Sequence, residues 1–185
     1  WEAWGRGRGR RGGGEGRVRE GVQQASGADR KGRWAAVVTR GGGALCYLDG
    51  QGEAAAVSAP RDQTLGVCRA GLLGSLAEIS DGADAVDLVV LGCPHASLQE
   101  LSDLADRFGD RRASVETWIC TARPTAAAAH ELGVTDRLAC AGVRVVCDTC
   151  FAVAPLDREG ATVATDSVKG CYYGRGHNKL RVHVG

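Results

Sequence analysis

Cys93, His95, Cys120, Cys147 and Cys150 are the residues of this 185-residue chain whose types and settings are most suited to chemistry. Leu91-Gly-Cys-Pro-His95 places a thiol and an imidazole directly after an apolar run. Cys147-Asp-Thr-Cys150 holds two thiols at Cys-x-x-Cys spacing, which alone suits either a redox pair or a metal. A thioredoxin-like pair opens a helix, and Phe151-Ala-Val-Ala-Pro155 has no helical character. A zinc ribbon needs a second close pair, which the sequence lacks. Thiolates that converge from separate loops could instead hold zinc or an iron–sulfur cluster. Free cysteine also fills apolar cores, the role expected for Cys46, Cys68, Cys140 and Cys171.

The elements that must position these groups alternate. Val86–Leu91 is a short, mostly branched apolar run expected as a buried strand, broken by Gly92-Cys93-Pro94-His95. Ser97 and Glu100 form a capping box that starts a helix at Leu98, with Leu98, Leu101, Leu104, Ala105 and Phe108 on one face. Val115–Cys120 is a strand, and Pro124 opens an Ala-rich helix that runs to Leu132 and is stopped by Gly133. Thr135–Ala141 is a short helix and Val143–Cys147 a strand. Ala161–Ala164 is a strand, Ser167–Tyr173 a short helix closed by Gly174, and Leu180–Val184 a last strand. Such alternation predicts an α/β fold, a mostly parallel sheet with helices on both faces. Cys93, Cys120 and Cys147 then gather along its carboxyl edge, where open α/β sheets bind ligands.

Upstream, Trp34–Thr39 and Ala44–Leu48 are expected as strands of a hairpin around Gly41-Gly42-Gly43, and Val67–Ile79 as a helix. The glycine triplet lacks the flanking pattern of a phosphate-binding loop. Residues 1–34 are poor in apolar side chains and are expected to be a disordered Arg/Gly-rich extension, with the α/β domain over 35–185. The extension carries six Arg against three Glu in its first 20 residues, while the whole chain has a net charge of only +1. That balance gives no general case for a nucleic-acid partner. No run approaches the roughly 18 apolar residues of a membrane span, and no signal peptide opens the chain. A cytoplasmic location is therefore expected, and the eight cysteines are not expected to form a disulfide scaffold. The chain starts at Trp1 and contains no Met, which suggests a fragment.

Leu91-Gly-Cys-Pro-His-Ala-Ser-Leu-Gln-Glu-Leu101, then Cys147-Asp-Thr-Cys150 with Ala154-Pro155-Leu156, then Thr165-Asp-Ser-Val-Lys169 with Tyr172-Tyr173 resemble the aconitase X catalytic domain family. The similarity is firm over Val86–Gly185, weak over Gly41–Ala85 and not visible before that. It implies the C-terminal part of an aconitase-like domain and an iron–sulfur-dependent hydro-lyase of a small hydroxy acid, such as cis-3-hydroxy-L-proline or phosphomevalonate. It further implies Cys93 and Cys150 as two cluster ligands. Arg123, Ser167 and Lys169 would grip the anionic substrate, and His95 would have a catalytic role. The partner implied is a small swivelling domain or small subunit, which supplies a serine base.

Departures from the family pattern limit what carries over. The third ligand belongs to an upstream Cys-Thr-Cys-Thr-Pro stretch that this sequence lacks, so the isolated chain is expected to be inactive. Cys120 and Ala122 stand where the family has Thr and Ser, and Cys147 and Cys171 replace other small residues. Cys120 is thus not a family ligand, and Ala122 removes a hydroxyl from the substrate side. Structural roles compete at several of these positions: Asp166 or Ser167 as a helix cap, Arg123 as a solvated helix start, His95 as a loop residue. Two rival functions are a zinc module on Cys93, Cys120, Cys147 and Cys150, and RNA binding by the Arg/Gly arm.

Overall fold

A computed structural model describes residues 4–7, 16–19, 27–41, 45–48, 64–65, 69–82, 85–151, 153–154 and 156–185. The chain divides into two compact units, Trp1–Glu78 and Ile79–Gly185. The first contains strands β1 (Trp4–Gly7), β2 (Gly16–Arg19), β3 (Leu45–Leu48) and β4 (Thr64–Leu65), in sheet order β3-β2-β1-β4. Helix α1 spans Gly27–Gly41 and helix α2 spans Arg69–Ile79. Trp34–Thr39, expected as a strand, therefore lies inside α1, and β3 pairs in parallel with β2 instead of closing a hairpin. Arg30, Lys31, Arg33, Ala35 and Ala36 favour helix and outweigh the short β-branched run Val37–Thr39. The Thr39 hydroxyl donates to the Ala35 carbonyl at 2.7 Å. The boundary expected after residue 34 also falls within this helix. Gly42, Gly43, Cys68 and most of the Arg-Gly tract lie outside the described residues.

In the second unit the strands are β5 (Leu88–Ala96), β6 (Glu116–Thr121), β7 (Val143–Cys147), β8 (Thr162–Thr165) and β9 (Arg181–Val184). Helices α3 (Leu98–Phe108), α4 (Arg123–Glu131), α5 (Val134–Cys140) and α6 (Val168–Asn178) connect them. Every pairing is parallel, in the order β7-β6-β5-β8-β9. This is the α/β sheet that the alternation predicts. Side-chain alternation splits the core in two. Ile119 and Val143 meet Leu101, Ala105, Ala129 and Leu138 from α3, α4 and α5. On the opposite face Leu88, Val90, Cys120, Val163 and Val182 meet Cys171 of α6 and Phe151. The chain winds outward from β5 to β7 and then returns to the other side of β5. The strand order thus reverses between β5 and β8, which is where doubly wound sheets leave a crevice.

Two details depart from the expected elements. The Gly92–His95 segment does not end β5: the strand runs on to Ala96 with a register shift between Leu91 and Ala96, and Cys93–Pro94 is a cis peptide. Gly174 does not end α6, which continues to Asn178 and closes on the left-handed Lys179. Gly174 instead lies against Phe151: a Cβ at Gly170 or at Gly174 would run into that ring. The capping box at Ser97 and Glu100 is formed as expected.

The outer edge of β9 is covered by Ser80 and Asp81. The Asp81 amide donates to the Val182 carbonyl at 2.8 Å, the Val182 amide donates to the Asp81 carboxylate at 2.8 Å, and the Val184 amide donates to Ser80 Oγ at 3.1 Å. Arg175 of α6 closes the arrangement with ion-pair contacts of 3.0 and 2.7 Å to both Asp81 oxygens. Burial would raise the Asp81 carboxyl, but the Val182 amide and the Arg175 guanidinium outweigh it and hold the group below its ordinary value of 3.8. A depressed folded value contributes stability above the unfolded value and loses it as pH falls through the folded one. Asp81→Asn is expected to cost about 1 kcal/mol at pH 7 in urea unfolding, screened because both side chains are about a third exposed. The difference from wild type should shrink as pH falls below about 4.

Gly92 carries a different constraint. Its φ is +82°, and a Cβ there would overlap the Cys120 carbonyl oxygen of the adjacent strand. Gly92→Ala is expected to destabilise by about 2–4 kcal/mol, the sum of a disfavoured backbone region and overpacking, read as a lowered urea midpoint.

Candidate functional site

All five strands of the second unit end at one edge, and the groups singled out in the sequence lie along it. Cys93 sits in the irregular end of β5, Cys150 three residues past β7, and Ser167 and Lys169 directly after β8. Cys93 and Ser167 therefore flank the reversal point of the sheet. Cys150 reaches them from a loop that passes the end of β6.

The two thiols meet. Cys93 Sγ lies 3.9 Å from Cys150 Sγ, with Cys93 buried and Cys150 half-buried. The hydrogen bond to Cys150 and burial push the Cys93 thiol far above its ordinary range, while Ser167 and the positive charge of Lys169 pull it back down. Lys169 is the cation that acts on Cys93 here. A group of higher positive charge at this point would be the natural partner of the two thiolates.

Ser167 caps α6. Its hydroxyl accepts from the Gly170 amide at 2.9 Å and donates to the Cys93 carbonyl. That oxygen is buried and its proton is committed to the protein, so at Ser167 the cap role weighed from sequence is the one seen. Lys169, in the first turn of α6, is half-buried and acts electrostatically on Cys93. His95 Nε2 lies 3.0 Å from the Thr149 carbonyl. A carbonyl only accepts, so Nε2 carries the proton of that bond.

Arg123 opens α4 and is exposed. Its amide donates to Asp148 Oδ1 at 2.8 Å and its Nε lies 2.9 Å from Asp148 Oδ2. These bonds from the Arg123 amide, together with the guanidinium, hold the Asp148 carboxyl below its ordinary value against a small opposing effect of burial. Asp148 also has a positive φ of 58°, and its amide donates to the Thr121 carbonyl at 2.9 Å. In the sequence Asp148 stands out only as one of the two residues between Cys147 and Cys150. Its signal was available: Asp is among the few residues that accept a left-handed backbone.

Phe151 was missed as well. It is 1% exposed, follows Cys150 directly, and has its carbonyl held by Asn178 Nδ2 at 2.6 Å. The glycines at 170 and 174, four residues apart on α6, were the sequence signature of its seat.

The remaining cysteines separate clearly. Cys120 and Cys171 are buried in the core on the α6 side of the sheet, and Cys147 is half-buried. Burial pushes the Cys120 thiol up to about 11, with the nearby Cys150 adding to it. Cys140, expected as core filler, is instead exposed, because α5 buries Val134 and Leu138 and Cys140 lies on its other face. The side chains of Cys46 and Cys68 lie outside the described residues. Among the described residues no three His, Cys, Asp or Glu side chains are grouped to hold a metal, so the four-cysteine zinc set is not assembled. Two thiols of the kind a cluster takes are in place, and they fit such a group as part of a larger donor set. Labelling with iodoacetamide at pH 8, followed by peptide mass spectrometry, should find Cys140 modified at least about tenfold faster than Cys93, Cys120 or Cys171.

Residues 86–185 match the family model of the aconitase X third domain. The chain is 34% identical over 148 residues to the phosphomevalonate dehydratase large subunit of Methanothermobacter thermautotrophicus, covering 78% of this chain and 37% of that subunit. It is 38% identical over 124 residues to the cis-3-hydroxy-L-proline dehydratase of Pseudomonas aeruginosa, covering 64% of this chain and 21% of that enzyme. The holo-form crystal structure of Thermococcus kodakaraensis aconitase X matches with a TM-score of 0.80 at 25% identity, over 91% of this chain and 44% of that one. The chain thus spans less than half the length of each of these relatives. With more than half of its residues inside the third-domain match, and with the same sheet in space, the chain belongs to the aconitase X family.

Proposed function

We propose that this chain is part of an iron–sulfur-dependent hydro-lyase that dehydrates a small hydroxy acid. The observation that carries the reading is the approach of Cys93 Sγ and Cys150 Sγ to 3.9 Å at the reversal point of the sheet. Relatives named as phosphomevalonate dehydratase and cis-3-hydroxy-L-proline dehydratase support the reaction class, and those two substrates are the ones to test first. Cys93 and Cys150 would hold the cluster, with a third thiolate supplied from outside the described residues. When bound, such a group supplies Lewis-acid polarisation of a leaving hydroxyl.

The chain's own residues bind and orient. Lys169 brings positive charge to the start of α6, where the helix dipole favours an anion, and is the primary group for a substrate carboxylate or phosphate. Arg123 adds charge at the same edge while its Nε engages Asp148. Ser167 holds Cys93 and the helix start in one frame.

The base that removes the carbon-bound proton is assigned to a partner. A relative named as a large subunit supports a small subunit or equivalent swivelling domain, and the isolated chain is accordingly inactive. A cytoplasmic setting suits reduced thiols. Among the described residues no helix is long and apolar enough to cross a membrane.

Anaerobic reconstitution with iron and sulfide, followed by metal analysis and a visible spectrum, tests the reading. Wild type should take up iron and sulfide in fixed ratio, and the Cys93→Ala/Cys150→Ala double variant should lose them. Equal iron in both proteins, or none in wild type, would overturn the cluster assignment.

A further inference from the structure

We propose that His95 and Asp148 are positioning residues that hold the Cys150 loop so that its thiol faces Cys93. The inference rests on Cys93 and Cys150 working as a joint pair, and it assigns His95 to the loop rather than to a reacting atom.

The loop between β7 and Phe151 starts on an edge strand, β7, and must carry Cys150 past the end of β6 to reach Cys93 on β5. Nothing in regular secondary structure holds it there. Four contacts from three different elements do. The Asp148 amide donates to the Thr121 carbonyl at the end of β6 (2.9 Å). The Asp148 carboxylate accepts from the Arg123 amide at the start of α4 (2.8 Å) and pairs with its guanidinium (2.9 Å). His95 Nε2, at the end of β5, donates to the Thr149 carbonyl (3.0 Å). Cys150 is the next residue, and Phe151 after it is locked in the core.

His95 and Cys93 sit two residues apart on the same strand. The imidazole therefore ties the Cys150 loop to the strand that carries the other thiol, and it fixes the spacing between the two sulfurs directly. Asp148 works from the opposite side. Its left-handed backbone turns the chain out of β7, and its carboxylate fixes that turn to α4. Arg123 is the fastening point of this clamp. This explains why its guanidinium is turned onto Asp148 although it sits at an exposed helix start.

The test reads the thiol spacing itself on the full chain. Dibromobimane alkylates two neighbouring thiols, and mass spectrometry identifies the bridged Cys93–Cys150 peptides. Four variants separate the contributions. His95→Leu removes the donor, and His95→Gln keeps an amide N–H at a reach comparable to Nε2. Asp148→Gly keeps the left-handed backbone but removes the carboxylate, and Asp148→Asn keeps both the backbone preference and an acceptor. Bridging is expected to fall about fivefold or more in His95→Leu and in Asp148→Gly, the population change that loss of one net hydrogen bond brings. His95→Gln and Asp148→Asn should stay within about twofold of wild type.

Wild-type bridging in His95→Leu, or a loss in His95→Gln equal to that in His95→Leu, would overturn the role of His95. Wild-type bridging in Asp148→Gly would overturn that of Asp148. The glutamine and asparagine variants guard against simple unfolding, because restored bridging requires a restored bond. The measurement needs no iron. Normal bridging patterns with no iron uptake would sink the cluster reading and leave the positioning roles standing. Iron uptake with unchanged bridging in every variant would do the reverse.

Discussion

Phe151 occupies a seat on α6 that exists only because residues 170 and 174 have no side chains. Burying a ring of that size contributes about 2–3 kcal/mol, and the return is positional as well as energetic. The next residue toward the amino terminus is Cys150. A large apolar side chain in a close-packed interior has few alternative placements, so the backbone beside it inherits that rigidity. On the other strand Cys93 is set by Gly92, which lets β5 pass against the Cys120 carbonyl with a backbone that other residues resist. Two packing constraints of opposite kind, a large ring and an absent side chain, thus place one thiol each.

Much of this architecture was legible in the chain before the structure. Val86–Leu91, Val143–Cys147 and the capping box at Ser97 and Glu100 carry local signals that agree with the tertiary fold, and they are formed nearly where expected. The differences have separate causes. Three β-branched residues favour a strand at Trp34–Thr39, and the helix-forming run before them decides the outcome. Gly174 looks locally like a helix stop, yet its lack of a side chain serves packing against a ring 23 residues earlier in sequence. That long-range contact is not written in a local window. Cys140 shows a further limit: an apolar residue in a short helix does not say which face turns to the core.

At the site, residue types were easier to find than their duties. Cys93 and Cys150 were picked out by loop context and family resemblance, and they do stand together. Ser167, Arg123 and His95 were picked out for the donors they could offer a ligand. Each directs hydrogen bonds inward, to the Cys93 carbonyl, to Asp148 and to the Thr149 carbonyl. At these three positions the protein itself supplies the acceptor. For the buried Ser167 hydroxyl the reason is direct, since an unpaired donor is costly where water is excluded.

The adjacency of Cys150 and Phe151 in sequence has a thermodynamic meaning. A thiol one peptide away from a core anchor cannot change its surroundings without the core registering it. Any group that bridges Cys93 and Cys150 in the folded state would raise stability with the logarithm of one plus its free concentration over its dissociation constant, and the unfolded chain, with its thiols dispersed, would gain nothing comparable. Chains without such a group would therefore open more often than bridged ones. The ring in the apolar seat of α6 would thus make occupancy of the thiol pair readable as the stability of the core.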